Sequence, residues 1–210
     1  MKFLNFDKVL CLSPHPDDVE YSLAGTVLKY KSTHFDLLCL TQGGDCDKTT
    51  SSSRLQEVVS CWNIANCSNY SLFFTPYKFL KELEEDEWIN YIEEQFTNTV
   101  KYDALFIPST EDSHFEHRQV SLMGFPLART SLLPLIEYCS PSTLESWIPN
   151  TFVDIEDQIV IKVKMLNEFR SQLHRSYFSE KIISAFHNNF QCSKKGICTV
   201  EQFRLKQVYF

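Results

Sequence analysis

"KVLCLSPHPDDVEYSLAGTVLKYK", residues 8–31, joins a short apolar run to a segment of helical period through a loop holding one histidine and two aspartates. "KVLCL" reads as a strand buried on both faces, and "EYSLAGTVLKYK" as the helix that follows it. The same alternation recurs downstream. "FDLLCLT" (35–41) is a second strand, closed by the turn-like "QGGD", where Gly43 and Gly44 permit backbone angles that other residues resist. Leu55, Val58, Val59 and Trp62 repeat at helical spacing, so Arg54 to Ala65 reads as a helix capped by Ser53 at the end of the serine run. "YSLFF" (70–74) is a third strand, and Trp88, Tyr91, Ile92, Phe96 and Val100 form one buried stripe of a helix over 86–100. Further strands are expected in "ALFIPS" (104–109), "LLPLIEYC" (132–139) and "TFVDI" (151–155). A helix with charges of alternating sign on its wet face is expected over 156–173. From Phe178 onward the periodicity is weak. Short strands separated by longer helices predict an α/β, Rossmann-like fold: a largely parallel sheet with helices on both faces, in a single domain spanning 1–210.

Composition narrows the function. With 210 residues, 43% of them hydrophobic, the chain can bury one sizeable core. The 20 Lys and Arg stand against 27 Asp and Glu, a net charge of -7, which argues against a nucleic-acid partner. No stretch approaches the roughly 18 apolar residues of a membrane span, and the first residues are interrupted by Asn5, Asp7 and Lys8. A soluble, cytoplasmic protein is expected. The eight cysteines lie mostly in apolar segments without paired CxxC spacing, as buried reduced thiols do. Cys192 and Cys198 are the only pair close to each other near the tail, and their spacing fits no common zinc knuckle.

The chemistry concentrates in two loops. In an open α/β sheet, ligands bind at the carboxyl ends of the strands near the point where strand order reverses. Both "SPHPDD" (13–18) and "TEDSHFEHRQV" (110–120) follow strands and precede helices, so both belong on that edge. His15 and Asp18 stand close to one helical turn apart and can face one point, with Asp17 directed to a neighbouring one. His117 stands three residues after His114. Two imidazoles and a carboxylate are a common ligand set for a catalytic divalent metal, with a position left for water. Zinc is the expected ion, with another divalent metal such as Fe2+ the alternative.

"SPHPDDVEYSLAGTVLKY" resembles the N-terminal signature of the PIG-L/LmbE-like family of metal-dependent N-deacetylases, and "PSTEDSHFEHRQV" resembles the family's second histidine motif. Weaker similarity runs through "LTQGGD", "SRLQEVVSCWNIAN" and "NTFVDIEDQIVIKVKMLNEFRSQ", so the resemblance covers roughly residues 8–172. It implies that His15, Asp18 and His117 bind the metal, that Asp17 is the general base, and that His114 stabilises or protonates at the scissile amide. Asp112 or Glu116 is expected to orient the His114 ring, with Glu116 standing where the family usually has aspartate. Arg54 matches a family arginine near the substrate, and Asp45 is a candidate contact for a sugar hydroxyl. Arg170, Ser171 and Gln172 are candidates for the pocket mouth. His34, His174 and His187 read as ordinary histidines.

The function implied is hydrolysis of an N-acyl group, acetyl in the first place, from an amino sugar, nucleotide sugar or glycoconjugate, with a metal-activated water as nucleophile. An amidase or deacylase on a non-sugar metabolite would keep the same site. A non-catalytic ligand-binding descendant is the third reading, and the presence of Asp17 and His114 argues against it, because binding alone needs no base.

Overall fold

The computed structural model describes residues 3–44, 51–189 and 198–207, so Asp45, Thr49 and Cys192 lie outside the described residues. Strands β1 (Lys8–Ser13), β2 (His34–Cys39), β3 (Tyr70–Phe74), β4 (Ala104–Pro108), β5 (Leu135–Tyr138), β6 (Thr151–Asp154) and β8 (Cys198–Gln207) form one sheet. Its order is β3-β2-β1-β4-β5-β8-β6, and the two-residue β7 (Asn188–Asn189) pairs with β8 off this path. Strands β1 to β5 run parallel, whereas β8 is antiparallel to both β5 and β6.

Helices cover both faces of the sheet: α1 (Asp18–Lys29), α2 (Ser51–Ala65) and α5 (Ile159–Leu166) on one, α3 (Glu85–Ile92) and α4 (Phe115–Ser131) on the other. The pleat sends alternate side chains to opposite faces, which is why β1 is apolar from Val9 to Leu12. Val9 and Cys11 enter the core beneath α1, α2 and α5, while Leu10 and Leu12 enter the core beneath α3 and α4. A short helix α6 (Glu180–Phe186) adds Ile183 to the first core.

The fold departs from the sequence expectation at its ends. Helix α2 begins three residues before Arg54, α3 closes in a π-helical turn over Glu93–Thr97, and α5 stops at Leu166. Strand β8, unread in the sequence, inserts between β5 and β6. Among the described residues, Cys11, Cys39 and Cys61 are buried free thiols, and Cys67 and Cys139 are partly exposed free thiols. No described helix is long and apolar enough to cross a membrane.

Strand order reverses between β1 and β4, whose neighbours are β2 on one side and β5 on the other. The loops leaving these two strands at their carboxyl ends are the two histidine loops.

Candidate active site

Asp18 is the first residue of α1, and its carboxylate sits between two imidazoles. His15 Nδ1 lies 3.1 Å from Asp18 Oδ2, and His117 Nε2 lies 3.2 Å from Asp18 Oδ1. The backbone N–H of His15 also donates to Asp18 Oδ2 at 2.8 Å, which ties the loop to the helix start. The far nitrogen of each ring faces another carboxylate: His15 Nε2 meets Glu116 Oε2 at 2.5 Å, and His117 Nδ1 meets Asp112 Oδ2 at 3.1 Å. Asp112 is itself held by the Ser140 hydroxyl at 2.7 Å and the Thr143 hydroxyl at 3.4 Å.

These contacts correct the expectation for His114. Glu116 is on the His15 ring, and Asp112 is on the His117 ring, touching His114 only by accepting its backbone N–H at 2.7 Å. His114 stands just before α4 in an extended conformation while Glu116 lies in the first turn of the helix, so their closeness in the chain does not pair the two side chains, and both approach the His15 ring. The His114 ring stacks on His117 with centroids 4.5 Å apart and stands edge-on to His15 at 4.8 Å. One nitrogen from each of His15, His114 and His117 falls within 4.8 Å of the others, so this group could hold a metal ion.

Electrostatics follow from the packing. Burial opposes charge on His15, but its hydrogen bonds to Asp18 and Glu116 prevail and bring it up to about 9. His117 rises to about 10, because Asp18 and Asp112 together outweigh its burial. Asp18 falls well below the carboxylate range, its burial outweighed by His117 and His15. Two imidazolium protons around one carboxylate carry the charge of one divalent cation. Each ring also has the outer carboxylate partner that fixes a metal-ligating histidine, so the donor set fits such an ion. His114 is held below the usual histidine value by desolvation and then by His15 and His117.

Asp17 stands beside this cluster with φ 119° and ψ -24°. Burial pushes its carboxyl up to about 6, with Arg54 opposing and Asp18 adding to the rise. Arg54, on α2, reaches the Pro16 carbonyl at 2.7 Å, the Gly43 carbonyl at 3.0 Å and Asp17 Oδ2 at 3.3 Å. Gly43 makes room for it: with φ +74°, any Cβ there would lie 2.0 Å from Arg54 Nη1. The site opens into a cavity of about 350 Å³, lined also by Phe79, Ser142, Gln172, Arg175 and Tyr177. Of the expected mouth residues, Gln172 lines the cavity, Ser171 is engaged by Glu57, and Arg170 is exposed. Arg175 and Tyr177 come from the stretch after α5, between the end of the helix expected over 156–173 and Phe178, and no motif or spacing in the sequence marks them.

The chain is 27% identical over 194 residues to the diacetylchitobiose deacetylase of Thermococcus kodakarensis, covering 81% of this chain and 72% of that protein. Its fold superposes on the N,N'-diacetylchitobiose deacetylase of Pyrococcus horikoshii with a TM-score of 0.78 at 21% identity, over 97% of this chain and 85% of the other. The 4-carboxy-2-hydroxymuconate hydratase GalB of Pseudomonas putida KT2440 shares the fold at a TM-score of 0.72 and 15% identity, over 100% of this chain and 99% of its own. The fold therefore does not by itself name the reaction. Residues 10–127 match the family described as PIG-L, GlcNAc-PI de-N-acetylase. That stretch contains both histidine loops and Arg54, and the chain belongs to the PIG-L family.

Proposed function

We propose that the protein is a metal-dependent hydrolase that removes an N-acetyl group from an amino sugar or glycoconjugate. The observation that carries this reading is Asp18 flanked at 3.1 and 3.2 Å by His15 and His117, each backed by a second carboxylate, beside a buried Asp17. Of the two possible donor sets, His15, Asp18 and His117 are the better one. Asp18 approaches both flanking rings, and the His114 ring has no carboxylate hydrogen bond among the described residues. Zinc suits two imidazoles and a carboxylate. Bound there, the ion would supply acidification of water and polarisation of the acyl carbonyl.

The chain's own groups do the rest. Asp17, with its carboxyl raised to about 6, is ionised near neutral pH and basic enough to take a proton from the attacking water. It can then return that proton to the departing amine, which leaves poorly as an anion. His114, kept toward its neutral form, offers an N–H to the oxygen that gains charge as the carbonyl is attacked. Phe79 and Tyr177 give the cavity apolar surfaces suited to sugar faces.

The test pairs metal analysis with amine release from N-acetylated amino sugars, diacetylchitobiose among them. Wild type is expected to carry a divalent ion and His15→Ala to lack it. Asp17→Asn keeps the ion and loses about 10²–10⁴-fold in kcat, the usual contribution of a positioned base. An ion retained by His15→Ala, or full turnover in Asp17→Asn, overturns the respective assignment.

A further inference from the structure

Glu20 is a buried carboxylate that this chemistry leaves unused. It is 3% exposed, lies between α1 and α2, and receives two hydrogen bonds. Trp62 Nε1 donates to Oε1 at 2.7 Å, and the backbone N–H of Asp17 donates to Oε2 at 3.2 Å. Asp17 needs such an anchor. Its φ of 119° lies where residues with a Cβ rarely go, and such a conformation persists only when its surroundings impose it. The Asp17 carbonyl is already committed to the Tyr21 N–H at 2.8 Å, the first bond of α1. With the carbonyl fixed, the direction of the Asp17 N–H sets where its Cβ leaves the backbone, and the Arg54 contact then holds the carboxylate.

The ion pair on the Asp17 carboxylate and the clamp on Glu20 both come from α2. Arg54 and Trp62 are eight residues apart on α2, a little over two turns, and so share a face. Arg54 takes the carboxylate at 3.3 Å and the neighbouring Pro16 carbonyl at 2.7 Å. Trp62, 1% exposed and packed at a tilt on Tyr70 with centroids 4.6 Å apart, acts on the backbone through Glu20.

The geometry points to Glu20 as a positioning residue for the general base: clamped by Trp62, it anchors the Asp17 amide and so aims the Asp17 carboxylate into the cavity. This inference rests on Asp17 being the base. The role calls for a carboxylate, because both oxygens must accept at once. Glutamine has one acceptor and would turn its NH2 group against either the amide or the indole donor.

The test is a four-protein cycle of wild type, Glu20→Gln, Asp17→Asn and the double variant, with amine release from diacetylchitobiose and metal content measured for each. Glu20→Gln is expected to lower kcat by about tenfold or more, since small misplacements of a reacting group are costly. KM is expected to stay within about twofold and metal content to be unchanged. On the Asp17→Asn background the same substitution is expected to cost nothing further, because the two residues act as one unit. Equal losses on both backgrounds would make Glu20 an ordinary structural residue and overturn the inference. Full activity of Asp17→Asn would instead sink the base assignment, whatever Glu20 does. Trp62→Phe, which removes the indole donor together with part of a buried ring, is expected to lower kcat with the same dependence on Asp17. A readout independent of turnover is the Asp17 amide resonance in 15N-labelled protein. It is expected downfield in wild type and shifted upfield in Glu20→Gln, and an unmoved signal rejects the contact.

Discussion

Glu116 shows how far a single residue's role can be read from spacing. Two positions from His114 in the chain, it invites pairing with that ring, yet it lies 2.5 Å from His15 Nε2, across the gap between two loops. Asp112 repeats the pattern by reaching His117 Nδ1 at 3.1 Å. Which residues gather at the carboxyl edge was legible from the two motifs. Which carboxylate serves which imidazole depends on helix phase and on the approach of the loops, and no local spacing encodes that. The pairing has a measurable consequence. Outer carboxylates on metal-bound histidines typically contribute 10- to 100-fold in metal affinity, so Glu116→Gln is expected to weaken zinc binding by about that factor. Competition with a chromophoric chelator measures it. An affinity equal to wild type would mean that Glu116 only fills space.

Among the elements, the misread ones have physical reasons. Beyond Leu166 the backbone closes successive i to i−3 bonds, from Phe169 to Leu166, Gln172 to Phe169 and Arg175 to Gln172. Such turns continue a helix-like winding, and buried Phe169 three residues after buried Leu166 keeps the spacing of a helix whose α-helical bonds have already ended. Strand β8 was hidden for another reason. Its buried face carries Glu201 beside Phe203, and a charge on the inner face breaks the alternation that marks a strand. Glu201 accepts from the Gly25 N–H at 2.7 Å, the Thr26 N–H at 2.6 Å, the Thr26 hydroxyl at 2.5 Å and Lys162 Nζ at 2.5 Å. It thus bolts β8 and α5 to the middle of α1, the helix whose first residue is Asp18. Lys162 and Glu201 are both fully enclosed, so removing one partner strands a charge. Lys162→Met is expected to destabilise the fold by about 3–5 kcal/mol in denaturant titration. Adding Glu201→Gln is expected to recover part of that loss, because the buried charge is then gone. A Lys162→Met protein as stable as wild type would show that the pair contributes no net stability.

At the scale of the whole molecule, the site exists because strand order reverses between β1 and β4. The two histidine motifs are about a hundred residues apart in the chain, yet the rings of His15 and His117 are 5.4 Å apart, which follows from parallel neighbours sharing one carboxyl edge. That convergence was legible from strand–loop–helix patterning alone. The wall supplied by Arg175 and Tyr177 was not, because nothing local records which distant segment closes a cavity. Joining loops from both central strands also couples the site to folding. On the proposed ligand set, an ion held by His15, Asp18 and His117 would bind the folded chain and not the unfolded one, and so would stabilise by mass action, about 2.7 kcal/mol at a free concentration of 100 Kd. For a chain of this length that corresponds to a rise in Tm of about 5–10 °C. Thermal unfolding with and without added zinc, after chelation, should show this rise in wild type and in Asp17→Asn, and none in His15→Ala. The contrast matters more than the size of the shift, because a nonspecific effect of zinc would appear in all three proteins. A rise that persists undiminished in His15→Ala would place the ion elsewhere and remove the link between the strand crossover and the chemistry.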